Sequence, residues 1–145
     1  KKILIIGGAG YIGTELCNYL IKKKYNIICY DTFWFGNLLN KKIKKIKGDV
    51  RKLNIKIFKN VDTVINLAYL SNDPLCEVNA RDTWESGPLA TYQIMEACVK
   101  YKVKKFIFAS SGAVYDWGKG LLDEKKTEIK PKDNYSLTKY AGEVQ

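Results

Sequence analysis

The stretch IIGGAGYIG, residues 5–13, constrains the fold more than any other part of this 145-residue chain. Before it, KKILIIGG is a short apolar run ended by glycines, the pattern of a buried strand. After it, YIGTELCNYLIKKK places Ile12, Leu16, Tyr19 and Leu20 on one helical face. The loop between them carries glycine at 7, 8, 10 and 13, and so contains G-x-G-x-x-G in the strand–turn–helix setting that gives the motif meaning. Glycines there permit a tight turn, close backbone approach to a pyrophosphate, and packing of the helix against the strand. The first N–H groups of the helix then face the phosphates. Gly7, Gly10 and Gly13 are read on this basis as a dinucleotide cradle.

The rest of the chain repeats the alternation. YNIICYD is a second strand, IKKIKGD a weaker third and VDTVINLAY a fourth. A helix of about twenty residues is expected from near Trp84 to Tyr101, then a fifth strand in VKKFIFASS. DNYSLTKYAGEVQ opens a last helix with Asp133 as its N-cap. YLSNDP, residues 69–74, reads as a loop. Strands alternating with helices predict an α/β fold, a parallel sheet wound on both faces.

Composition narrows the function. The chain has no histidine, which removes Ser–His and Cys–His catalysis and any histidine-ligated metal; no metal site is expected. Its four cysteines show no C-x-x-C spacing. The net charge of +10 comes from 25 basic and 15 acidic residues, only Arg51 and Arg81 being arginines. Dispersed lysines suit a solvated surface better than a nucleic-acid reader, which uses arginine forks on one face. With no signal peptide and no apolar run near twenty residues, a cytoplasmic protein with no membrane and no nucleic-acid partner is expected.

Asp31 ends the second strand, where a carboxylate accepts hydrogen bonds from adenosine ribose hydroxyls and repels a 2′-phosphate. The neighbouring sequence offers no arginine to reverse that preference, so NAD is expected over NADP. Asp49, in KGDVR at the end of the third strand, is placed near the adenine.

Taken together, GGAGYIG, Asp31, GDVR, NLAY, FASSGAVYD and YSLTK resemble the extended short-chain dehydrogenase/reductases, specifically the NAD-dependent nucleotide-sugar epimerases and dehydratases. The resemblance covers the whole chain, with the motifs in family order. It implies a Rossmann domain of strand order 3-2-1-4-5-6-7 and a smaller domain that grips the nucleotide sugar. Residues 1–145 would then be an incomplete NAD-binding domain, with the last strands and the substrate domain beyond it. The matching motifs assign cofactor contacts to Gly7, Gly10, Tyr11, Ile12, Gly13, Asp31, Asn37, Asp49, Val50, Leu67, Ala68 and Tyr69, with Phe33 and Gly36 passing near the adenosine. Ser71 and Asn72 are placed toward substrate, and Tyr115 toward the sugar or in packing. Trp34, Trp84 and Trp117 are read as packing residues. Homodimerisation through the helices after strands four and five is a further implication.

The catalytic set implied is Ser111, Tyr135 and Lys139, the last two also meeting the cofactor. Spacing alone does not single them out. Four Y-x-x-x-K pairs occur, at Tyr19, Tyr101, Tyr115 and Tyr135, against roughly one or two expected by chance. The Tyr135 pair opens a helix after the fifth strand, and Ser111 stands at that strand's C-terminal end, where open α/β sheets bind ligands. Residues i and i+4 share a helical face, so Lys139 adjoins Tyr135. A free phenol is a poor base near neutrality, and a neighbouring ammonium favours its ionised form. The resemblance gives Tyr135 the sugar hydroxyl's proton, Lys139 the nicotinamide ribose and Ser111 the reacting oxygen.

Two departures refine the expectation. Dehydratases of this group carry an acid just after the catalytic Ser or Thr, whereas Gly112 and Ala113 stand here. Epimerisation through a transient keto intermediate is favoured, with a nucleotide-sugar dehydratase, a keto-sugar reductase or a non-catalytic NAD-binding module as alternatives. Where the family's long helix begins with Asn in N-V-x-G-T, a residue that supports the catalytic lysine, this chain has Gly87 and Pro88.

Overall fold

The structure, a computed structural model, describes residues 1–71, 73–115 and 120–145. Five strands form one parallel sheet in the order β3-β2-β1-β4-β5: β1 Lys2–Ile6, β2 Asn26–Asp31, β3 Lys44–Lys47, β4 Thr63–Asn66 and β5 Lys105–Phe108. In register, Ile3 pairs with Ile27 of β2 and Thr63 of β4, and Val64 pairs with Phe106 of β5.

Alternating side chains of each strand feed opposite cores, which is why β1 and β2 are apolar throughout rather than at every second position. Leu4, Ile6, Ile28, Tyr30 and Val64 face one core with Phe58 and with Ala90, Ile94 and Ala97 of α4 (Ala90–Lys100). Ile3, Ile5, Ile27, Cys29 and Ile65 face the other, against Leu16, Cys17 and Leu20 of α1 (Tyr11–Lys22). Truncating a fully buried member such as Phe58 or Leu4 to alanine costs about 2–5 kcal/mol.

Between β4 and α4 the path differs from the single long helix expected. Two short helices come first, α2 (Asp73–Val78) and α3 (Ala80–Trp84), followed by a wide turn over Glu85–Leu89. Gly87 leaves helical geometry there (φ −91°, ψ −105°) and Pro88 supplies no N–H, so the helical run bends at this pair. Part of the stretch read as a loop is thus helical.

The last helix, α5 (Asn134–Glu143), begins as expected. Asp133 accepts from the Ser136 amide at 2.7 Å while Ser136 Oγ accepts from the Asp133 amide at 3.2 Å, a reciprocal cap. Glu77 of α2 accepts from both the backbone and the side-chain nitrogen of Asn134, at 2.7 and 3.1 Å. At its other end α5 comes so close to β5 that a Cβ on Gly142 would lie 2.8 Å from the Phe108 ring. These contacts fix the start of α5 against α2 and its later part against β5.

Candidate active site

A cavity of about 800 Å³ opens along the C-terminal ends of the strands. Its floor is the glycine loop. Gly7 has φ +78°, and a Cβ there would stand 2.5 Å from the Ala68 amide nitrogen, so strand β4 and the loop meet only because residue 7 is glycine. A Cβ on Gly13 would fall 2.4 Å from the Gly7 carbonyl oxygen, which fixes the helix on the loop. Gly10 differs: a Cβ would meet nothing closer than 3.4 Å, and the residue lines the cavity. No side chain caps α1 at Gly10. The start of the helix therefore presents bare backbone to a space that a side chain would fill, which fits a pyrophosphate.

Asp31 stands at the end of β2, also in the cavity wall. Its carboxylate accepts from the Ala9 amide at 2.9 Å and from the Phe33 amide at 2.8 Å, which locks it against the loop. Beyond it lies a cluster the sequence did not reveal. Arg51 lines the same cavity, its guanidinium held by Asp49 at 2.7 Å and by Asp82 of α3 at 2.8 Å. The hydrogen bonds of Arg51 hold the Asp49 carboxyl below its ordinary value, and Asp49 in turn raises Arg51. An arginine does reach the cavity, contrary to the reading from local sequence, but two carboxylates already occupy its fork. The pairing of Asp49 with Arg51 two residues on was a legible signal; Asp82, thirty-one positions away, was not.

On the far side, Tyr135 and Lys139 of α5 line the cavity together with Tyr69. Lys139 is 5% exposed. Its ammonium donates to the Ala109 carbonyl at 2.7 Å and lies 3.7 Å from the centre of the Tyr69 ring and 5.9 Å from that of Tyr135. Burial lowers the Lys139 pKa to about 8. Burial raises that of Tyr69, whose hydroxyl donates to Thr138. Tyr69 is consequently a neutral donor throughout the physiological range.

The cavity thus gathers Gly7, Gly10, Tyr11, Ile12, Gly13, Asp31, Asp49, Val50, Leu67, Ala68, Tyr69, Ser71, Tyr135 and Lys139 of the expected residues. Asn37 and Ser111 lie outside its lining, and Asn72 and Trp117 fall outside the described residues. Ser111 caps a short helical turn, accepting from the Ala113 amide at 3.1 Å. Its neighbour Ser110 lines the cavity wall instead and donates to Glu143. Asn37 accepts from the Leu39 amide at 3.2 Å. Trp34, read as packing, is 64% exposed at the cavity wall instead, because the loop after Asp31 turns it outward at Phe33 (φ +57°). Tyr115 makes an isolated antiparallel bridge with Ile129. Among the described residues, no helix is long and apolar enough to cross a membrane.

Parallel strands in this order, with a glycine loop between β1 and α1 and an acid at the end of β2, define a Rossmann-type dinucleotide-binding fold. A model of the NAD dependent epimerase/dehydratase family matches residues 3–145, and the chain belongs to that family. It is 36% identical to a putative UDP-glucose 4-epimerase of Methanocaldococcus jannaschii, over 97% of this chain and 48% of the relative. It is 32% identical to a dTDP-D-glucose 4,6-dehydratase of Dictyostelium discoideum, over 99% of this chain and 39% of the relative. The solved structure of MoeE5 in complex with UDP-glucose and NAD superposes with a TM-score of 0.89 at 31% identity, covering 99% of this chain and 47% of that one. The chain spans about half the length, 48% and 49%, of the first curated relatives it matches.

Proposed function

We propose that residues 1–145 form the NAD-binding part of an enzyme that epimerises a nucleotide sugar through a transient keto intermediate. The observation that carries this reading is that Tyr135 and Lys139 share one cavity with the glycine loop and Asp31. NAD supplies a reversible hydride acceptor when bound. Gly10 and the first turn of α1 would hold its pyrophosphate, Asp31 its adenosine ribose, and Lys139 the ribose at the other end. Residues that choose the sugar belong to a further domain in this reading, and two copies pair through α4 and α5.

The chain's own contribution is proton transfer and orientation. Tyr135 takes the proton of a sugar hydroxyl as the carbon is oxidised and returns it when the keto group is reduced from the other face. Lys139, one turn on from Tyr135, holds its ammonium 5.9 Å from the centre of that ring. Ser111 accepts a hydrogen bond from Ala113, which leaves its own O–H free to donate to the reacting oxygen. For Ser111 to do so, its hydroxyl must turn toward the cavity that Ser110 now faces.

A dehydratase is the second reading, favoured by the Dictyostelium relative. Against it, neither Gly112 nor Ala113 carries a group that transfers a proton. The test is Tyr135→Phe assayed with UDP- and dTDP-hexoses. Turnover is expected to fall by about 10²–10⁴ with NAD affinity retained. Unchanged function would favour a non-catalytic NAD module, a 4-keto-6-deoxy product would favour the dehydratase, and net consumption of NADPH would favour a keto-sugar reductase.

A further inference from the structure

Resting on that reading of Lys139 and Tyr135, we infer that Tyr69 is a positioning residue: its ring seats the Lys139 ammonium and orders the Tyr135 ring, in space opened by the absence of a side chain at residue 87. Four contacts converge on this one phenol. The Lys139 nitrogen lies 3.7 Å from its ring centre. The Tyr135 ring meets it edge-on, centroids 5.7 Å apart at 84°. Its hydroxyl donates to Thr138 Oγ1, which donates to the Asn134 carbonyl at 2.7 Å in the first turn of α5. A Cβ on Gly87 would stand 2.6 Å from its hydroxyl oxygen.

The last contact explains the sequence at 87 and 88. Any side chain at residue 87 would enter the volume of the Tyr69 phenol, so tyrosine at 69 and glycine at 87 are paired choices. The bend at Gly87 carries the chain around the ring.

The electrostatics explain why a ring is needed. Among the described residues no carboxylate lies within ion-pair distance of Lys139, and the Ala109 carbonyl accepts only one of its three N–H groups. The π face of Tyr69 offers the buried charge a second stabilising surface. Other titratable groups facing the ammonium are Cys76 of α2, whose thiol donates to the Leu70 carbonyl at 3.1 Å, and Tyr135 on the same helix as Lys139. Neither supplies negative charge while protonated. Phe108 adds a more distant ring at 5.1 Å.

The test follows Lys139 directly. In the complete protein that carries this chain, the Nζ resonance is observed with ¹⁵N-labelled lysine and identified by its loss in Lys139→Met. Tyr69→Leu keeps an apolar side chain but removes the π face and the hydroxyl; the Lys139 titration midpoint is expected about one pH unit lower. NAD affinity is expected to weaken about tenfold, as the displaced lysine loses its ribose contact. Tyr69→Phe retains the ring and is expected to restore both to near the wild-type values. Gly87→Ala, which touches Tyr69 but not Lys139, is expected to move the midpoint in the same direction as Tyr69→Leu. A midpoint unmoved in Tyr69→Leu overturns the inference; if that variant does not fold, an unmoved midpoint in Gly87→Ala overturns it. No substrate enters this measurement. Absence of nucleotide-sugar turnover would therefore sink the proposed function without touching this result, and the reverse outcome would sink the role of Tyr69 alone.

Discussion

At the scale of single residues, Lys139 is the costliest side chain in the site. Burial brings its pKa down to about 8 from an ordinary 10.5. Between those values the unfolded chain binds more protons than the folded one, so stability rises with pH across that window; below it both states are charged and the folded state bears the whole penalty. Lys139→Met is accordingly expected to stabilise the fold by about 2 kcal/mol near pH 7, with the gain fading as pH approaches about 10.5. Urea unfolding across that range measures it, and a gain independent of pH would show that packing, not charge, is responsible. The lysine's position on the Tyr135 face was legible from i, i+4 spacing. Its partners were not, because the Ala109 carbonyl and the Tyr69 ring come from other elements and carry no local pattern. Arg51 was missed for the same reason: its sequence neighbours gave no hint that Asp82 would turn it into the cavity.

At the scale of elements, legibility followed the strength of local chemistry. The start of α5 was readable because Asp133 and Ser136 satisfy each other's amides within one turn. Asp133→Ala is expected to cost about 1 kcal/mol in urea unfolding. Loss of the cap should also loosen the turn that carries Tyr135, while Glu77 still holds Asn134 from α2. Equal midpoints for the variant and the parent chain would mean that tertiary contacts, not the cap, set this helix start. The opposite case is α2. Asn72, Asp73 and Pro74 are turn formers, and a helix of six residues is too short for a 3.6-residue period to stand out. Its helical state is imposed by packing against α3 and α5 rather than by its own sequence. Gly87 and Pro88 stood inside the single long helix expected from Trp84 to Tyr101, and residue 87 carried no sign of being the slot for a tyrosine eighteen positions earlier.

At the scale of the whole molecule, the strand order places β1 between β2 and β4, so the chain reverses direction across the sheet at the cavity. That much follows from alternating elements and right-handed crossovers. The consequence is that one wall comes from the β2–β3 side, through Asp31, Asp49 and Arg51, and the other from α5, through Tyr135 and Lys139. A dinucleotide spanning both walls binds only the folded sheet, and NAD at a hundred times its dissociation constant would add about 2.7 kcal/mol to its stability. For a chain of this size that corresponds to a rise in Tm of about 5–10 °C. NADP is expected to raise Tm far less, because its extra phosphate meets the Asp31 carboxylate while the nearest basic fork is engaged by Asp49 and Asp82. Freeing that fork is the sharper trial. Asp82→Asn removes one of the two carboxylates on Arg51, the one contributed by α3, without altering Asp31. The NADP-induced shift should then grow while the NAD-induced shift stays near its original value. Equal shifts with the two dinucleotides in the parent chain would mean that Asp31, already satisfied by the Ala9 and Phe33 amides, does not discriminate at the ribose, and cofactor choice would have to rest elsewhere on the wall.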